Sequence, residues 1–154
     1  MASFYVLRHG QSPSLSEAGV RHDAERPLSE HGREDVRAAA RELAARGAAL
    51  VVILHSPLKR AAQTAAEAGA ILRPAHGVKA FEPLSNQVTG EMLYSYLQRE
   101  YEDAEFLAVG HQPQLGELVA YLTGQVVEIR PGGLVALAAD GKGKATLLWS
   151  INPG

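Results

Sequence analysis

No cysteine occurs anywhere in the 154 residues. That excludes disulfides, thiolate-bound zinc and any chemistry run through a thiolate nucleophile. A basic excess is missing too: 15 Lys and Arg stand against 17 Asp and Glu, a formal charge of −2. A general nucleic-acid binder needs cations to release counterions, so no nucleic-acid partner is expected. Any anion site must be made by local placement of cations. No apolar run approaches the ~20 residues of a membrane span. The first apolar stretch, Phe4–Leu7, is too short for a signal-peptide core and is stopped by Arg8. A cytoplasmic location and no membrane partner are the expectation. His22, His31, His55 and His76 lack the spacing of metal-binding motifs, so neither metal nor cofactor is expected.

What is present fits one domain over residues 1–154, with an apolar fraction of 46% and a charged fraction of 21%. Phe4–Leu7, Leu50–Leu54 and Phe106–Val109 are uniformly apolar, as central parallel strands tend to be. Val78–Phe81 is a weaker strand, and Leu134–Ala139 with Ala145–Ile151 reads as a hairpin turning at Asp140-Gly141. Helical spacing fills the gaps. Ser29 can cap a helix to about Arg46, and Ser56-Pro57 can start a second. Thr89 can cap a third, and Pro113 opens a fourth that stops at Gly124. Alternating strands and helices predict a three-layer α/β/α sandwich with a largely parallel sheet and an antiparallel C-terminal hairpin. Arg33, Arg37 and Arg41 read as a solvated helix face. Gly141-Lys142-Gly143-Lys144 reads as a hairpin turn, without the spacing of a P-loop.

Three strand ends carry the chemistry. Arg8-His9 ends the first strand, Ser56-Pro57-Leu58-Lys59-Arg60 follows the second, and Gly110-His111 follows the Phe106–Val109 strand. Ligands of open α/β sheets bind beyond the carboxyl ends of strands, where helix N-termini also favour anions. Guanidinium groups suit bidentate contact with a phosphoryl group. The like charge of Arg8 and Arg60 should keep the His9 imidazole neutral and nucleophilic, and His111 can donate to the equatorial oxygens. Asp23 and Arg26 lie in the irregular stretch Gln11–Leu28 and can pair to shape that loop.

Leu7-Arg8-His9-Gly10, Ser56-Pro57-Leu58-Lys59-Arg60-Ala61-Ala62-Gln63-Thr64-Ala65 and Gly110-His111 together resemble the three signatures of the histidine phosphatase superfamily. The segment Asp23–Gly32 is similar to one found in its small SixA-like branch, the phosphohistidine phosphatases. The resemblance implies a phosphoglycerate mutase-like fold and a phosphohistidine intermediate on His9. It also implies a phosphate pocket of Arg8, His9, Arg60 and His111, with no metal. Many members protonate the leaving group with a Glu after the third strand, a position Glu82 occupies here. The residues around Glu82 depart from the mutase-like motif, and Gln112 stands where the acid-phosphatase branch has Asp. The short stretch from Glu82 to Glu105 implies an open pocket. The expected partner is a phosphorylated protein, a histidine phosphotransfer domain, with small phosphoesters (sugar phosphate or nucleotide) as the alternative. A non-catalytic phosphate or phosphoprotein sensor is the reading from a different class.

Overall fold

Uniform apolarity at Phe4–Leu7, Val52–Leu54 and Phe106–Val109 has a simple cause: both faces of those strands are covered. The computed structural model describes residues 2–154. Its strands are β1 (Ser3–Arg8), β2 (Val52–His55), β3 (Val78–Ala80), β4 (Phe106–Gly110), β5 (Leu134–Ala139) and β6 (Ala145–Ile151). They form one sheet in the order β3-β2-β4-β1-β5-β6. The first four run parallel, β5 is antiparallel to β1, and β6 is antiparallel to β5. The helices are α1 (Leu15–Ala18), α2 (Glu30–Ala45), α3 (Lys59–Leu72), α4 (Gly90–Tyr101) and α5 (Gln114–Thr123). Short 3-10 turns lie at Asp23–Glu25 and Glu82–Ser85.

Side chains alternate across the strands and build two cores. Tyr5, Leu7, Ile53, Leu107 and Val109 pack against α2 and α3 through Val36, Ala40, Leu43, Ala61 and Ala65. Phe4, Val6, Leu54, Phe106 and Ala108 pack against α4 and α5 through Leu93, Leu97, Leu115 and Leu118. This is the three-layer sandwich that the alternation of periods predicts. The predicted caps are made: Ser29 accepts the N–H of Gly32, and Thr89 that of Met92. The hairpin turns where expected, with Asp140 accepting the N–H groups of Lys142 and Lys144.

Two local expectations change. The second long helix starts at Lys59, not at Ser56-Pro57, and Ser56 instead accepts the N–H of Leu58. Arg33 and Arg37 are not a solvated face: both donate to Glu67 of α3 at 2.9 Å. They close the seam between α2 and α3, while Arg41 alone of the three stays exposed.

One feature of the topology makes a crevice. After β1 the chain leaves toward the α2 face of the sheet, and after the neighbouring β4 it leaves toward the α5 face. Connections that diverge from adjacent parallel strands open a gap at the strands' carboxyl ends. Arg8-His9 and Gly110-His111 are the residues placed there.

Candidate active site

The backbone ladder sets the depth of each side chain. His9 donates its N–H to Gly110 at 3.0 Å, and Arg8 donates its own to Gly133 at 2.9 Å. The turn after His9 is pressed against α2. A Cβ on Gly10 would lie 2.7 Å from the Gly32 carbonyl, and one on Gly32 would lie 2.3 Å from the Gln11 carbonyl. Only glycine lets these backbones approach so closely. β2 ends at His55, so Arg60 falls on the second residue of α3, facing the same gap. The gap is a cleft of about 840 Å³ whose lining includes Arg8, His9, Arg60, Glu82 and His111. All five residues singled out in the sequence therefore share it.

The two imidazoles lie 5.0 Å apart between ring centroids. Nδ1 of His9 donates to the Gly10 carbonyl at 2.8 Å, since a carbonyl can only accept. A neutral His9 thus carries its proton on Nδ1 and leaves the Nε2 lone pair for the cleft. His111 is arranged the other way round. Its Nε2 lies 2.7 Å from the Ser56 hydroxyl, whose oxygen already accepts the Leu58 N–H. Ser56 is fully buried, so its own proton is satisfied by donation to Nε2 of His111. The proton of a neutral His111 then sits on Nδ1, a buried atom without a protein partner. Nε of Arg8 is likewise buried and unpartnered, while its Nη1 donates to the Ile129 carbonyl at 3.0 Å. Two buried donors in residues of one cleft thus have no acceptor within the protein.

Both rings are held neutral. Burial is the main cause for His9, lowered to about 4, with Arg60 and Arg8 adding repulsion against the opposing pull of the Gly10 carbonyl. The sequence expectation gave that role to like charge, but desolvation leads because the ring is sunk between β1, β4 and the loop. Burial also leads for His111, lowered to about 3, followed by repulsion from His9 and Arg60.

Arg60 carries a partner that sequence reading did not assign to it. Its Nη1 donates to the Asp23 carbonyl and its Nη2 to the Asp23 carboxylate, both at 2.9 Å. Asp23 also takes Nη1 of Arg26 at 2.9 Å, so the expected Asp23–Arg26 pair forms and belongs to a larger network. Arg26 braces the rim further by donating to the carbonyls of Pro13 and Ser12. On the opposite wall, buried Gln114 donates to the carbonyls of Pro83 and Val88, tying the turn that bears Glu82 to the element that follows His111. Ser56, Arg26 and Gln114 were not singled out as site residues. For Ser56 a signal existed, a hydroxyl at a strand end within the Arg60 motif. For Gln114 there was none beyond a polar residue on an apolar helix face.

Chemically, the cleft offers an uncharged nucleophilic nitrogen, the guanidinium groups of Arg8 and Arg60 with Arg26 at the rim, and an imidazole N–H. That set can bind a tetrahedral anion and accept its central atom. Among the described residues no group of three His, Asp or Glu is placed to hold a metal ion, and no helix is long and apolar enough to cross a membrane.

Comparison with known proteins agrees with this set. A profile of the histidine phosphatase superfamily (branch 1) matches residues 4–91. An uncharacterised protein of Picosynechococcus sp. is 31% identical over 139 residues, covering 86% of this chain and 82% of that one. The structure of the protein histidine phosphatase SixA complexed with tungstate has a TM-score of 0.86 at 25% identity, over 97% of this chain and 96% of that one. A candidate phosphohistidine phosphatase SixA from Agrobacterium tumefaciens gives 0.84 at 21% identity, over 98% and 97%.

Proposed function

The chain belongs to the histidine phosphatase superfamily, with the phosphoglycerate mutase-like fold, and is a phosphatase; from there we propose that it removes phosphate from phosphohistidine on a phosphotransfer protein, through a phosphoenzyme on His9 and without a metal. In this reading Nε2 of His9 attacks phosphorus in line with the departing nitrogen. Arg8, Arg60 and Nδ1–H of His111 hold the equatorial oxygens as charge gathers on them. Water then hydrolyses the phosphoenzyme from the side the leaving group vacated.

One observation carries the proposal: the two cleft histidines are anchored through opposite ring nitrogens, His9 through Nδ1 on the Gly10 carbonyl and His111 through Nε2 on the Ser56 hydroxyl. One ring presents a lone pair and the other a proton, the pairing that attack on a phosphoryl group needs. A protein substrate is supported by the cleft's surroundings. Between β3 and β4 the chain has only a 3-10 turn and α4, and a separate apolar recess of about 370 Å³ beside Pro83, Val88 and Tyr96 shares Glu82, Ser85 and Gln87 with the cleft wall. Small phosphomonoesters are the second reading, favoured by Glu82 on the cleft wall, where a carboxylic acid could protonate an alkoxide.

Rapid quench with a ³²P-labelled histidine phosphotransfer domain and a panel of small esters tests both. The expected result is faster turnover of the protein substrate and an acid-labile label trapped on His9. His9→Ala should lower turnover by at least ~10³-fold, as loss of a nucleophile does, and keep measurable phosphate affinity. EDTA should change nothing. Full activity of His9→Ala, or abolition by EDTA, would sink the mechanism.

A further inference from the structure

Asp23 is an unexpected residue in an anion cleft. Its carboxylate sits beside the Arg60 guanidinium that would hold a phosphoryl group, and like charge there opposes binding. The side chain of Asp23 is 58% exposed, against 10% for Arg60. The carboxylate is therefore at the rim and the guanidinium on the floor, with His9 and His111. In-line transfer to Nε2 of His9 places the leaving group on the far side of phosphorus from His9, toward that rim.

We infer that Asp23 selects the leaving group: its carboxylate receives a ring N–H of the substrate imidazole, so the site prefers P–N bonds to P–O esters. The inference rests on the phosphohistidine reading and names the residue that enforces it. As transfer proceeds, the P–N bond to the substrate ring breaks while the bond from phosphorus to Nε2 of His9 forms. The electron pair of the broken bond stays on the departing nitrogen. The proton on the ring's other nitrogen, held against Asp23, makes the departing group neutral imidazole. An ester oxygen brings no such N–H and meets the carboxylate with lone pairs instead. Asp23 does not supply the proton an alkoxide needs, because Arg26 first and Arg60 second hold its carboxyl below the usual range.

Asp23→Asn is the informative variant, since it matches the side chain in size and keeps an oxygen for Arg60, while it removes the charge and the oxygen that accepts from Arg26. The whole chain is assayed on N-phosphoimidazole and on 4-nitrophenyl phosphate, whose phenolate departs without a proton. Expected for Asp23→Asn is a kcat/KM on phosphoimidazole lower by about 10-fold to 100-fold, the worth of one charged hydrogen bond. Turnover of the nitrophenyl ester should hold or rise, inhibition by inorganic phosphate should tighten, and Asp23→Glu should restore part of the P–N activity. Equal losses on both substrates would reduce Asp23 to a prop for Arg60, and no change on either would leave it idle. Both results overturn the inference and spare the phosphohistidine reading. A wild-type chain that cleaves the ester and neither phosphoimidazole nor phosphohistidine overturns both.

Discussion

His9 and His111 are chemically alike and made different by what their inner nitrogens touch. A carbonyl can only accept, so it forces a proton onto Nδ1 of His9. A buried hydroxyl needs an acceptor for its own proton, and Ser56 finds it in Nε2 of His111, which leaves the proton of that neutral ring on Nδ1. Ser56 is thus a positioning residue, and Ser56→Ala should lower kcat by about 10-fold, less than the ~100-fold that follows outright loss of a transition-state donor. The ¹⁵N spectrum of the His111 ring should show the tautomer mixture shift in Ser56→Ala and return in Ser56→Thr. An unchanged ring spectrum would contradict the assignment. Such a pairing lies beyond residue order, because Ser56 and His111 are 55 positions apart and meet only through β2 and β4.

Among elements, the contacts that place the cleft are backbone against backbone. The first turn of α2 rests on Gln11 through Gly32, and the first turn of α4 rests on α5 through Gly90, where a Cβ would lie 2.3 Å from the Leu118 nitrogen. Substituting alanine at either glycine forces helix and neighbour apart, at about 1–3 kcal/mol as overpacking typically costs. The two should differ in function. Gly32→Ala displaces the segment that carries His9 and should lower kcat even at temperatures where the variant is folded. Gly90→Ala moves α4, remote from the nucleophile, and should lower stability with a smaller loss of kcat. Urea unfolding beside kcat at low temperature separates them, and equal kcat losses would refute the distinction. The helix caps at Ser29 and Thr89 were readable in the sequence because a cap is local, its partner three residues away. The ion pairs of Arg33 and Arg37 were not, because Glu67 is on another helix 34 and 30 positions on.

For the whole molecule, the neutral histidines tie stability to pH. His9 and His111 are lowered to about 4 and about 3 in the fold, from an ordinary 6.5. Between those values the unfolded chain binds more protons than the folded one, so stability falls as pH drops from about 6.5 toward 4. The depressed carboxyl groups of Asp23 and Glu67, held by Arg26 and Arg37, act in the same direction at lower pH. Urea unfolding should give a smaller free energy at pH 5 than at pH 7.5. The double variant His9→Gln, His111→Gln should show a shallower drop. Parallel curves for the two proteins would mean that these rings are not the source.

Much of this protein could be read from the order of its residues alone. Burial on both faces leaves a run of apolar letters, a cap or hairpin turn spans three to five residues, and the motifs at three strand ends name their chemistry wherever the strands go. Local rules therefore located the strands, four of the helices and four of the residues that meet in the cleft, Arg8, His9, Arg60 and His111, while Glu82 came from the family resemblance alone. Folding alone settled which nitrogen of each histidine carries the proton, that desolvation outweighs like charge at His9, and that Asp23 stands against Arg60 across 37 positions. Those outcomes depend on distances of about three ångströms between groups far apart along the chain, and no spacing in a sequence encodes such a distance.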